Sequence, residues 1–121
     1  MQYEPEEKIP SQFVVTLSIE EKIKCLEEIR IKFKKILYVY DKSQEADSNY
    51  NYKVYCGGIL IYVSSSNVLF EGELVNLVVN LNSILTNDFD KANIKRIVFE
   101  SKNQIDHLLK VYKSLKEQPC S

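Results

Sequence analysis

Cys56 stands directly before Gly57 and Gly58, and the chain's one histidine, His107, follows Asp106 near the other end. A thiol, an imidazole and a carboxylate are the parts of a cysteine nucleophile with its base. That chemistry needs the imidazole within hydrogen-bond reach of sulfur and a neighbour that lowers the thiol pKa. Nothing in the sequence signals either, and a cysteine in an apolar run is ordinarily a small core hydrophobe. The same side chains make a poor zinc site, because Cys25, Cys56 and Cys120 are widely spaced and a single histidine offers no ligand pair. Glu71 and Glu73 flank Gly72, a pattern that reads as a turn before it reads as an acid/base or metal pair. No GxxxxGK[ST] and no GxGxxG occurs, so no glycine cradle for phosphate is expected. The expectation is a protein without cofactor or metal, and not an enzyme.

The eight tyrosines carry more information, since Tyr38, Tyr40, Tyr50, Tyr52, Tyr55 and Tyr62 fall close together in the chain. Tyrosine joins a large contact area to a polar tip, which suits a binding surface. Tyr50, Tyr52 and Tyr55 adjoin the polar segment 41–51 and are the candidate partner-binding residues; Tyr38 and Tyr62 read equally well as core aromatics.

Composition narrows the classes. A chain of 121 residues is long enough for one core and too short for two. A net charge of -1 creates no general field for nucleic acid or anionic lipid. Only Arg30 and Arg96 offer planar guanidinium recognition. Scattered cysteines argue against a disulfide-stapled secreted module and for a reducing cytoplasmic or nuclear setting. Residues 1–11 are acidic and proline-bearing, without a basic stretch leading into an apolar one, so no signal peptide is expected. They read as a mobile N-terminal arm before a single globular domain at 12–118.

The elements that must position these residues follow from periodicity. Ser18 with Glu21 forms a capping box, and Ile19, Ile23, Leu26, Ile29 and Phe33 then recur at helical steps, predicting a helix over 18–34. Leu74, Leu77, Val78, Leu81 and Leu85 predict another over 73–86, with asparagines on the opposite side. Ile105, Leu108, Leu109, Tyr112 and Leu115 predict a third over 102–117, capped by Ser101 with Gln104. Leu81 and Leu108 sit centrally on their stripes and are expected in the core. The β-branched and aromatic runs at 13–17, 36–40, 52–63 and 94–100 read as strands, with a short return strand at 68–70. Gly57 and Gly58 read as a bulge in the second long strand, Ser64 to Asn67 as a turn, and 41–51 as an exposed loop.

The resulting order predicts an α+β fold, a two-layer α/β sandwich of ferredoxin-like βαββαβ type with an extra C-terminal helix. The alternative is a pleckstrin-homology-like sheet with a C-terminal helix. Function then falls into three classes. The leading one is a non-enzymatic intracellular protein-interaction or assembly subunit, with a protein partner or a second copy of itself. An RRM-like single-stranded RNA-binding module is the alternative, although 53–64 does not match the expected RNP1 pattern. A small cysteine-dependent enzyme comes last.

Overall fold

The computed structural model describes residues 17–45 and 51–117. They form four helices in chain order: α1 (Ile19–Glu45), α2 (Tyr52–Leu69), α3 (Val75–Thr86) and α4 (Lys91–Glu117). Helix accounts for 88% of the structure, and no strand occurs among the described residues. The expected α+β sandwich is therefore wrong, in its ferredoxin-like and its pleckstrin-homology-like forms alike. The expected strand at 13–17 lies, except for Leu17, outside the described residues, as do the arm at 1–11, Tyr50 and Cys120.

Side-chain caps mark the starts of α1, α2 and α4. Ser18 Oγ accepts from the Glu21 amide at 3.1 Å, and Glu21 Oε1 accepts from the Ser18 amide at 3.0 Å, so the capping box is formed. Buried Ile23, Leu26, Ile29 and Phe33 follow it as one stripe. The stripe does not stop there, because Ile36 is three residues on and also buried. The apparent strand 36–40 is thus the continuation of α1. Asn51 begins α2 by accepting from the amides of Lys53 and Val54 at 3.0 and 3.4 Å. Asp90 begins α4 by accepting from the Asn93 amide at 3.0 Å. Ile94, Ile97, Val98, Ser101 and Ile105 are buried beyond it, while Phe99 points outward. The run at 94–100 looked strand-like because Ile97 and Val98 straddle one helical seam. Ser101 is consequently interior rather than a cap, and its Oγ accepts from Asn80 Nδ2 at 2.8 Å.

α2 is the least expected helix. Its eighteen residues include two adjacent glycines, several β-branched side chains and no strong run of helix formers. Its inner positions, Cys56, Ile59, Val63, Ser66 and, just past its end, Phe70, nevertheless keep steps of three and four. Burial of that stripe against neighbouring helices overrides weak propensity. Neither glycine makes a bulge, and Ser64 to Asn67 are helical.

α2 ends in a Schellman turn, in which the Gly72 amide donates to the Asn67 carbonyl at 2.9 Å and the Glu71 amide to the Val68 carbonyl at 3.1 Å. Glu71 and Gly72 both take positive φ, 54° and 90°. Asn67 Oδ1 then accepts from the Leu74 amide at 2.7 Å and ties the turn to α3.

Cross-helix contacts give the topology. Tyr40 meets Tyr52 and Tyr62 meets Glu28, so α2 runs antiparallel to α1. Ion pairs join Glu20 to Lys116, Arg30 to Asp106 and Asp41 to Lys91, so α4 is antiparallel to α1 as well. α1 also packs on α2, α2 on α3 and α3 on α4, closing an up-down-up-down four-helix bundle. Leu26, Phe33, Val63, Leu77, Leu81, Ile94 and Ile105 are among its fully enclosed side chains. Leu81 is core as expected; Leu108 is only half-buried, and Leu109 takes the interior place.

Candidate interaction surface

Of the tyrosine candidates, Tyr52 and Tyr55 serve the bundle's own seams. Tyr52 is half-buried, packs edge-on against Tyr40 with ring centroids 4.9 Å apart, and donates its amide to Ser43 Oγ at 3.0 Å. Tyr55 is half-buried too, and its hydroxyl donates to the Lys32 carbonyl at 3.1 Å. Burial raises the pKa of both phenols above the ordinary value. Tyr62 continues this seam, donating to Glu28 Oε1 at 2.7 Å beside Cys25 and Ser66. These rings lock α1 to α2, and the hydroxyls of Tyr55 and Tyr62 are already engaged.

Cys56 and His107 are not brought together as a catalytic pair. Cys56 is fully buried on the inner face of α2, and burial pushes its thiol up to about 12. A thiol so raised is protonated and unreactive at neutral pH. His107 is exposed on α4, and the adjacent Asp106 is held by Arg30 through two contacts, 2.6 and 3.4 Å. No group of three or more histidine, cysteine, aspartate or glutamate side chains among the described residues is placed to hold a metal ion.

One cleft of about 300 Å³ opens between α3 and α4, lined by Glu73, Asn76, Leu77, Asn103, Gln104 and His107. Glu73 at its rim accepts a hydrogen bond from Tyr112, which explains that carboxylate structurally. Phe70 stacks edge-on against Tyr112, and Lys22 Nζ lies 5.5 and 5.1 Å from the two ring centroids. Amides and a lone imidazole can hydrogen-bond a ligand, but the cleft contains no nucleophile positioned by a base.

The outward side of α2 and α3 is different in kind. From Val54 to Asn87 the chain has two charged residues, Glu71 and Glu73, both in the turn between the helices. α3 has none, and α2 has Lys53 alone, paired with Asp88 at 2.8 Å. Val54, Ile61 and Val68 project from α2 with exposures of 70, 71 and 76%, and Val75 and Val79 project from α3. Apart from Lys53, the lysines, arginines and acids of the helices lie on α1 and α4. Tyr52 and Tyr55 lie on the side of α2 that meets α1. The usable signal for this surface was the missing charge, which the reading of 52–63 as a strand concealed.

No helix among the described residues is long and apolar enough to cross a membrane. No family model, no curated protein and no solved structure matches this chain.

Proposed function

We propose that the chain is a non-enzymatic interaction or assembly subunit that docks a protein partner through the outward side of α2 and α3. The observation that carries this reading is the uncharged surface on which Val54, Ile61, Val68, Val75 and Val79 are exposed. Interface cores are depleted in charge, and water contact with large apolar side chains is relieved when a partner covers them. Charged groups elsewhere on the bundle keep it dispersed. The free cysteines Cys25 and Cys56 fit a reducing cytoplasmic or nuclear compartment. The RNA-binding alternative loses its footing, because an RRM-like module stacks bases on a sheet and the described residues form none.

The test is retention of a partner by tagged protein in cells of its source. Ile61→Lys and Val79→Lys should abolish retention while leaving the helical circular dichroism unchanged. Ile31→Lys, at an exposed position on the charged side, should leave it intact. Equal retention by all three variants overturns the assignment of this surface.

A further inference from the structure

Resting on that docking reading, we propose that the occupant of the surface is a second copy of the chain, the two α2 helices packing antiparallel about a two-fold axis at Ile61. The outward residues of α2 are symmetric about that position. Val54 and Val68 stand seven residues before and after Ile61, Gly57 and Gly58 stand four and three before it, and Ser64 and Ser65 three and four after it. Residues seven apart stay on nearly one line of a helix, drifting only about 20° per seven. In an antiparallel pair centred on Ile61, each Val54 lies beside Val68 of the second copy and the two Ile61 side chains meet. Gly57 and Gly58 lie opposite Ser64 and Ser65 of the second copy, so small residues face small residues wherever the large ones do not. A two-fold interface requires this kind of self-complementary patch.

The glycines supply a separate argument. A Cβ added at Gly57 or Gly58 would meet no atom within 4 Å, so the packing of the single chain requires neither. Both sit inside a helix, where alanine is the more favourable residue. Their smooth backbone is explained by close approach of a second helix from outside.

Charge and area agree with the same occupant. A two-fold axis sets each outward side chain near its own copy or near a symmetric neighbour, which penalises any charged patch of one sign; this patch has no charge to penalise. The eighteen residues of α2 extend about 27 Å. The twelve residues of α3 alongside extend about 18 Å, and at about 10 Å of width per helix the two give a face of roughly 450 Å², a little over half of the roughly 800 Å² per partner in standard interfaces and suited to a pair that dissociates on dilution. The axis also brings the two α3 helices side by side, adding Val75 and Val79.

Sedimentation equilibrium on the full chain tests the pairing. The expected result is a dimer that dissociates on dilution, becoming monomeric with Ile61→Lys at unchanged helix content. Val54→Lys alone should weaken association roughly tenfold or more. Adding Val68→Glu to the same chain should restore it, because antiparallel pairing sets Lys against Glu at both ends. Gly58→Ala should raise the thermal midpoint of the monomer yet weaken the dimer. A chain monomeric at millimolar concentration, or a dimer indifferent to Ile61→Lys, overturns the two-fold pair. In the first case, loss of cellular partner retention by Ile61→Lys leaves the docking surface standing, with a different protein on it; unchanged retention overturns both readings.

Discussion

Cys56 is fully enclosed on the inner side of α2, and its thiol is raised from 9.0 to about 12 by burial. The fold therefore favours the protonated form. Below pH 9 both folded and unfolded chains keep that proton, and the contribution of the buried thiol is complete. Between about pH 9 and 12 the unfolded chain releases it and the folded chain does not, so stability falls with rising pH. Cys56→Val should flatten part of this alkaline loss in urea titrations at pH 8 and pH 10.5. An unchanged pH slope would contradict the buried placement. Tyr62 and Tyr112 are raised in the same direction, by burial first and by hydrogen bonds to Glu28 and Glu73 second, so a residual slope is expected. Leucines sort by burial in a second measurement. Leu81→Ala should cost about 2 to 5 kcal/mol, whereas Leu108→Ala, at the half-buried edge of the α3–α4 cleft, should cost about 1 kcal/mol. Equal shifts in urea midpoint would reject this ordering. Periodicity alone offered both Leu108 and Leu109 for the last stripe, and adjacent leucines on a helix differ by only 100°, so the neighbouring helices chose between them.

At the scale of elements, the starts of α1 and α3 were legible, while the starts of α2 and α4 and the full extent of α1 were not. The Ser18 and Glu21 box is a local exchange of hydrogen bonds within four residues, and sequence suffices to see it. Ser18→Ala should lower stability by about 1 kcal/mol, read as a reduced thermal midpoint, and Ser18→Asp should largely restore it. The Schellman turn offers the opposite sign. Glu71 holds a φ of 54°, a left-handed conformation that costs a side-chain-bearing residue roughly 1 kcal/mol and costs glycine little. Glu71→Gly should therefore leave the fold intact and raise or hold the thermal midpoint, while Gly72→Val, at φ 90°, should lower it. The runs at 36–40, 52–63 and 94–100 misled because β-branched and aromatic residues suit both a strand and the interior stripe of a helix. Extending the count by one turn resolves each: Phe33 to Ile36, Cys56 to Ile59 to Val63, and Ile94 to Ile97 to Ser101 keep helical steps.

At the scale of the whole molecule, α1 and α4 are registered by a ladder of ion pairs: Asp41 with Lys91 at 2.8 Å, Arg30 with Asp106 at 2.6 Å, Glu27 with Lys113 at 3.6 Å and Glu20 with Lys116 at 3.3 Å. All are partly exposed, and such pairs contribute about 0 to 1 kcal/mol each. Arg30→Ala should accordingly shift the urea midpoint little, and added salt should do the same. A large loss would mean that the ladder, and not the apolar seam beneath it, holds α1 to α4. The seam is continuous: Leu26, Ile29, Phe33 and Ile36 of α1 and Ile94, Ile105 and Leu109 of α4 all belong to one core.

The sequence by itself determined the Ser18 cap, the register of the stripes in α1 and α3 and the absence of a recognisable catalytic motif, because each depends on residues a few positions apart; the cap expected at Ser101 is not formed, because α4 continues through it. Tertiary structure decided that the β-branched segments are helices, since weak propensity in α2 is reversed only when Cys56, Ile59 and Val63 are buried by residues distant in the chain. It also decided the surface. Which apolar residues remain outside depends on where four helices meet, and that arrangement turns Tyr52 and Tyr55 inward to a seam while leaving Val54, Ile61 and Val68 in water.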